Sequence, residues 1–207
     1  MIQDGGGYGG GTGGSLTKIG RGKLVLQHGN TYTGGTAVQS GKLVVNNRGE
    51  SGTGTGPVQV EGGKLGGKGM IAGAVTIGRG SGAGAVLAPG YLHGVGRPGA
   101  LTIQSPLAFR SDGTYQMELN SSNVTADEVI ANGVTINAGA QFSFLDFGSA
   151  SLPQGTVFSA INNTAANPIA GAFVNLPDGS TFTNNGNTYK VNYKGGDGND
   201  LILTVVP

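Results

Sequence analysis

The chain has 207 residues, no cysteine, no tryptophan and a formal net charge of +1. Without cysteine there is no disulfide framework, no thiolate metal site and no thiol nucleophile. No apolar run approaches the roughly 18 residues that a membrane-spanning helix requires. Glycine supplies 43 residues against 8 prolines with no G-X-Y period, which excludes collagen. Charged residues make up only 11%, so the composition shows no basic stripe for phosphates and no nucleic-acid partner is expected.

Met1 to Asp4 runs straight into glycine with neither a charged n-region nor an apolar h-region, so no signal peptide is read there. Either the protein is cytosolic or the chain is a fragment of a larger exported one, and the second is the expectation. Residues 1–15 are low in complexity and are expected to be a flexible lead-in. Gly5, Gly7 and Gly10 match G-x-G-x-x-G, but no strand precedes them and no amphipathic helix follows, so no dinucleotide site is read.

From Leu16 a short unit returns. Gly22-Lys23-Leu24-Val25 recurs as Gly41-Lys42-Leu43-Val44, and Gly63-Lys64-Leu65 follows. Around these lie short runs with apolar and polar residues alternating, such as Val58-Gln59-Val60, Val75-Thr76-Ile77 and Leu101-Thr102-Ile103. Period two means strands, and no helical spacing is sustained. The fold class is all-β. A unit of about twenty residues that repeats favours a stacked solenoid over a sandwich or barrel. Equivalent positions would then lie above one another at about 4.8 Å. Leu24, Leu43 and Leu65 are expected to form one inward ladder, and Val38, Val60 and Ile77 another. About eight such rounds would make a rod roughly 40 Å long.

The pattern loosens after Ala100. All 7 phenylalanines lie between Phe109 and Phe182, and longer strands are expected at Tyr115–Leu119, Val134–Ile136, Phe142–Leu145 and Thr156–Phe158. A wider cross-section, or capping turns that blunt the open edge, would account for this. Asn185-Gly186 reads as a turn. Tyr189–Tyr193, a turn over Gly195 to Asn199, and Leu201–Val206 read as a closing β-hairpin. One solenoid domain over residues 16–207 is expected, regular through residue 100 and wider beyond it.

Several of these segments resemble bacterial autotransporter passenger domains. Gly22 to Leu26, the Asn30-Thr31-Tyr32-Thr33-Gly34-Gly35-Thr36 core and Ser40 to Val45 resemble the passenger-associated repeat. Gly66 to Gly73, Leu87 to Gly90 and Pro98 to Ile103 resemble the segment that often follows it. Gly171 to Gly179 and Tyr193 to Thr204 resemble the usual closing module. The resemblance implies a right-handed parallel β-helix, exported and displayed at the cell surface or released. The resemblance does not imply one activity, since members of that family include adhesins, self-associating proteins and carriers of unrelated effector domains. A non-enzymatic structural or adhesive segment, with itself or a host or matrix surface as partner, is the expectation here. Any translocator barrel would lie outside this fragment, and no cofactor is expected.

The candidate sites are few. Gly195-Gly196-Asp197-Gly198-Asn199-Asp200-Leu201-Ile202-Leu203 fits one copy of a nonapeptide calcium repeat, with Asp197 and Asp200 as the ligands to test. The same glycines and asparagine also make a metal-free hairpin turn. Lys23, Lys42 and Lys64 would stack on one outer face, either as a solvated row or as a surface for an acidic polysaccharide. Asp112, Asp127, Glu128 and Asp146 are the acidic residues from which a polysaccharide-cleaving site could be built. His28 and His93 stand in no metal spacing. Three N-x-[ST] sequons begin at Asn120, Asn123 and Asn162.

Overall fold

The computed structural model describes Asp4 and residues 13–90 and 98–207; His93 and the Gly5, Gly7 and Gly10 tract lie outside them. Every regular element among the described residues is a β-strand. In chain order the strands fall into rounds. The first two rounds are β1 (Leu16–Lys18) with β2 (Lys23–Leu26), and β3 (Thr36–Val38) with β4 (Lys42–Val45). The third is β5 (Val58–Val60), β6 (Gly63–Gly67) and β7 (Met70–Ile71); the fourth is β8 (Val75–Ile77), β9 (Ala85–Pro89) and β10 (Ala100–Ile103). The fifth is β11 (Leu107–Phe109), β12 (Gly113–Asn120), β13 (Thr125–Ala126) and β14 (Glu128–Ala131). The sixth is β15 (Val134–Ile136), β16 (Gln141–Asp146) and β17 (Val157–Asn163). Three strands close the chain: β18 (Thr181–Asn184), β19 (Asn187–Gly195) and β20 (Asp200–Val206).

From the third round on, each round sends a strand to each of three sheets. The first sheet runs β1-β3-β5-β8-β11-β15, entirely parallel. The second runs β2-β4-β6-β9-β12, with β16 parallel and β13 antiparallel on β12. The third joins β7, β10, β14 and β17 in parallel, then adds β20, β19 and β18 antiparallel. In the first two rounds the third position carries no strand. Backbone bonds still cross it, from Asn30 N to Ser51 O at 2.8 Å and from Gly52 N to Met70 O at 2.9 Å.

The register makes columns. Leu24, Leu43, Leu65 and Leu87 align, and Tyr115 and Phe142 continue the line. Val38, Val60 and Ile77 align in the first sheet and lead on to Phe109 and Ile136. Both expected ladders are present. These columns belong to one buried apolar cluster that runs from Leu26 to Val205. The step between column partners lengthens from 19 residues (Leu24 to Leu43) to 28 (Leu87 to Tyr115). The larger rings fit that wider section: Phe109, Tyr115, Phe142 and Phe173 have centroids 5.1–6.2 Å apart.

The expected eight rounds are six, and the first sheet spans about 24 Å rather than 40 Å between its end strands. Later rounds consume more residues, and the last forty-odd residues close the stack instead of adding to it. Val134–Ile136, expected among the longer strands, has 3 residues.

At this closing end a later segment of the chain meets the last-round strand of each sheet, and β18 becomes the outer edge of the third. The edge of β15 bonds Ala170, through Ile136 N to Ala170 O and Ala170 N to Val134 O. The edge of β17 receives β20. The edge of β16 receives a side chain instead: Asn175 Oδ1 accepts from Phe142 N at 2.8 Å, and its Nδ2 donates to Phe142 O at 2.7 Å. One side-chain amide thus stands in for a missing strand residue, satisfying groups that would otherwise template pairing. Asn185 and Asn187 do the same farther on, bonding Asp146, Gly148, Ala150 and Leu152. Asn185 and Gly186 both have positive φ, which suits the two-residue turn between β18 and β19. The opposite end differs. Leu16 and Leu24 on the first round are only partly buried.

Candidate functional surface

The residues of the Asn30–Thr36 segment build a corner. Asn30 Nδ2 donates to Gly52 O of the next round at 2.7 Å. The buried Tyr32 and Thr36 hydroxyls bond each other at 2.5 Å. The Asp4 carboxylate accepts from Gly14 N, Thr33 N and the Thr33 hydroxyl, and these bonds hold it below the usual carboxylate range. Each polar side chain here ties one round to another or fixes the bend, so the segment is architecture.

The carboxylates have similar work. Asp112 accepts from Arg79 N and Gly80 N, and Asp146 from Ser121 N and Gly148 N. Asp127 accepts from Gly99 N at 2.9 Å and Glu118 N at 3.0 Å. It is fully buried. Burial pushes its carboxyl up to about 8 against those two donors and Lys68, with Glu118 adding to the rise. Asp112 and Asp127 lie toward opposite ends of β12, about 20 Å apart along the strand. A glycosidase pair needs carboxylates about 5–9.5 Å apart. Asp146 shares the inward parity of Phe142 and Phe144, on the other side of β12 from Asp127's attachment. The structure does not bring these four candidates into one groove.

Asp200 is buried and accepts from Asn163 N at 2.8 Å, and burial raises its carboxyl above the usual range. Asn163 in turn holds Gly133 N and the Asn167 carbonyl, and Asn199 Nδ2 donates to Ala165 O. Asp197 points into solvent. The Gly195–Asn199 turn therefore sits on a polar network that binds it to β17. Among the described residues no group of three or more His, Cys, Asp or Glu side chains lies together as a metal site would require. His28 is exposed at a corner. Asn123 is exposed in the β12–β13 turn, Asn120 ends β12 and Asn162 is within β17.

The lysines do come together. Lys23 pairs with Lys42 and Lys42 with Lys64, in register on three consecutive strands. A basic stripe exists where the overall charge of +1 gave no sign of one, because the charge is segregated. Residues 16–70 hold seven Lys and Arg against two Glu, and residues 71–207 hold five against eight acidic residues. Lys64 Nζ donates to Gln116 Oε1 at 2.8 Å, and Gln116 Nε2 reaches Glu118 at 3.3 Å. Burial lowers the Lys64 proton affinity, and the Lys42 charge lowers it further.

Sequence reading missed three features. Lys18 is buried at the inward parity of Val38, its ammonium donating to the Ile19, Gly20 and Ser40 carbonyls. Asp127 is interior. Asn175, Asn185 and Asn187 cap edges. Strand parity could have placed Lys18 and Asp146; nothing local marks an asparagine that caps a strand thirty residues away.

No curated protein matches the chain. Residues 16–45, from β1 through β4, match the family model described as Passenger-associated-transport-repeat, so this part of the chain is similar to that repeat.

Proposed function

We propose that the chain is a section of a right-handed parallel β-helix in the passenger of an exported bacterial surface protein, acting as a stiff structural and adhesive segment rather than an enzyme. The observation that carries this is the in-register parallel pairing of β1-β3-β5-β8-β11-β15, which begins inside the matched repeat. Stiffness follows from continuous backbone bonding between rounds and from stacked apolar columns. Residues 16–207 act as one solenoid domain behind a lead-in of residues 1–15, regular through residue 100, wider beyond it and capped by the last forty-odd residues. The single apolar cluster supports this division. The non-enzymatic reading is supported by Asp112, Asp127 and Asp146, whose carboxylates already hold backbone N–H groups. Partners are another copy or a host or matrix surface, and the translocator barrel lies elsewhere in the whole protein.

The test is made on cells that express the full gene product with an epitope placed just ahead of Leu16. Antibody should label intact cells, and in-frame deletion of residues 16–207 should abolish attachment or cell–cell aggregation while the remaining protein is still displayed. Labelling only after permeabilisation, or attachment unchanged by the deletion, would overturn the reading.

A further inference from the structure

We propose that the outer face of β2, β4 and β6 binds a linear polyanionic polysaccharide, one carrying a carboxylate or sulfate on successive sugars, along the Lys23–Lys42–Lys64 row. This deepens the adhesive reading above and rests on it for its biological setting. The binding itself is a property of the purified chain.

The row is set by register. Parallel strands in register place equivalent side chains about 4.8 Å apart, so the three lysines form a track with one positive charge per strand. Like charges directly across adjacent strands repel. None of β2, β4 and β6 contains an acidic residue to relieve the repulsion. Of the two acidic residues among 16–70, Glu61 is paired with Arg79, and Glu50 packs at a different corner against Gly29. Lys64 leans on the amide of Gln116, and the Glu118 carboxylate beyond it offsets part of its charge, so the repulsion is least relieved between Lys23 and Lys42. Arg21 and Arg48 are exposed just before β2 and just after β4. The row therefore carries an unfavourable charge density that a polyanion would relieve.

The occupant follows from what the face lacks. The one aromatic residue among 16–70 is Tyr32, and it is fully buried. No ring is available for bases to stack on, as single-stranded nucleic-acid grooves require. Two residues along the same strands Val44 and Gly66 are buried, so the accessible track is the lysine row itself. A small anion would meet one screened lysine at a time, whereas a tethered row of anions engages the track together. The regular spacing of charges on a polyuronate suits one charge per strand.

The experiment is a binding titration of the purified chain with polygalacturonate as the polyanion and dextran as the neutral control. Double-stranded DNA and phosphatidylserine/phosphatidylcholine vesicles are run alongside. The K23Q/K42Q variant is compared with K190Q/K194Q, which removes the same charge from exposed lysines at the other end of the chain. Urea unfolding checks that both variants fold. The expected result is binding to polygalacturonate but not dextran, weakened by salt, about tenfold weaker in K23Q/K42Q and near wild type in K190Q/K194Q. Equal losses in the two variants, no binding by the wild type, or equally tight binding of DNA or vesicles would overturn the proposal. A failure here would leave surface labelling on cells unaffected, so the two readings fail separately.

Discussion

Replacing Gly67 by alanine measures how closely the rounds are stacked. Gly67 ends β6 in register with Val45 of the preceding round, at φ +120°. A Cβ there would lie 2.0 Å from the Val45 carbonyl oxygen and 2.7 Å from its carbonyl carbon. That oxygen is fixed in the ladder, because Gly69 N donates to it at 2.8 Å. Two costs follow: about 1 kcal/mol for an L side chain at positive φ, and about 1–3 kcal/mol for overpacking against atoms that cannot retreat. Gly49 separates them. It also has positive φ, at +85°, but a Cβ there meets nothing within 4 Å. Gly49→Ala should cost about 1 kcal/mol and Gly67→Ala about 2–4 kcal/mol. With a urea m-value of about 1–3 kcal/mol/M, the Gly67 variant should unfold at a midpoint lower than the Gly49 variant by roughly 1 M at the middle of these ranges and at least about 0.3 M. Equal midpoints would mean that the second round does not press on the third at this point, and the stacking geometry would be wrong.

Three further outcomes are expected. The Asp127 carboxyl titrates near 8 in the folded chain because burial favours its neutral form, against about 3.9 when unfolded. The folded state therefore holds the extra proton between those values, and stability should fall as pH rises from about 4 to 8, by at most about 1.4 kcal/mol per unit. Asp127→Asn should flatten that slope in urea melts taken across the range, leaving the contributions of Glu118 and Asp200, whose carboxyls burial also raises; an unchanged slope would locate the titration elsewhere. Asp200→Ala removes the acceptor of Asn163 N and should cost about 1–3 kcal/mol. Its thermal midpoint should drop equally in calcium and in chelator; stabilisation of the wild type alone by calcium would instead establish a metal role. Asn175→Ala frees Phe142 N and O on the β16 edge, and because the site is only part-buried the expected loss is about 1–2 kcal/mol. Light scattering should then show concentration-dependent association through the bared edge, and a monomeric variant would argue that the cap has no protective part.

Strand parity and the repeat were enough to place Leu24, Leu43 and Leu65 in one column and Val38, Val60 and Ile77 in another. They also put Lys23, Lys42 and Lys64 on one outer row. A spacing of about twenty residues fixes which side chains align when rounds are equal in length. After Ala100 the rounds lengthen unevenly, so counting residues overstated the number of rounds. The pairing of β12 with both β9 and β16 could not be read off. The edge caps escaped for another reason. Asn175 and Asn187 lie in segments with ordinary turn chemistry, and their role exists only because Phe142 and Leu152 arrive beside them. Asp127 follows Ala126 in what reads as a polar stretch, and only the return of Gly99 and Glu118 around it makes it interior. The net charge hid the lysine row because acidic residues of the later rounds cancel it.

Cross-linking on the lysine row tests parallel, in-register stacking most directly, since the chain has no cysteine of its own. Lys23 and Lys42 are register partners on adjacent strands, so their Cα atoms lie about 4.8 Å apart, within disulfide range. Lys23 and Lys64 are two strands apart, at about 10 Å, beyond it. Mild oxidation should close an intramolecular disulfide in Lys23→Cys/Lys42→Cys and leave Lys23→Cys/Lys64→Cys largely reduced. No bond in the first pair, or equal bonding in both, would contradict the stack on which the columns, the lysine row and the β-helical reading depend.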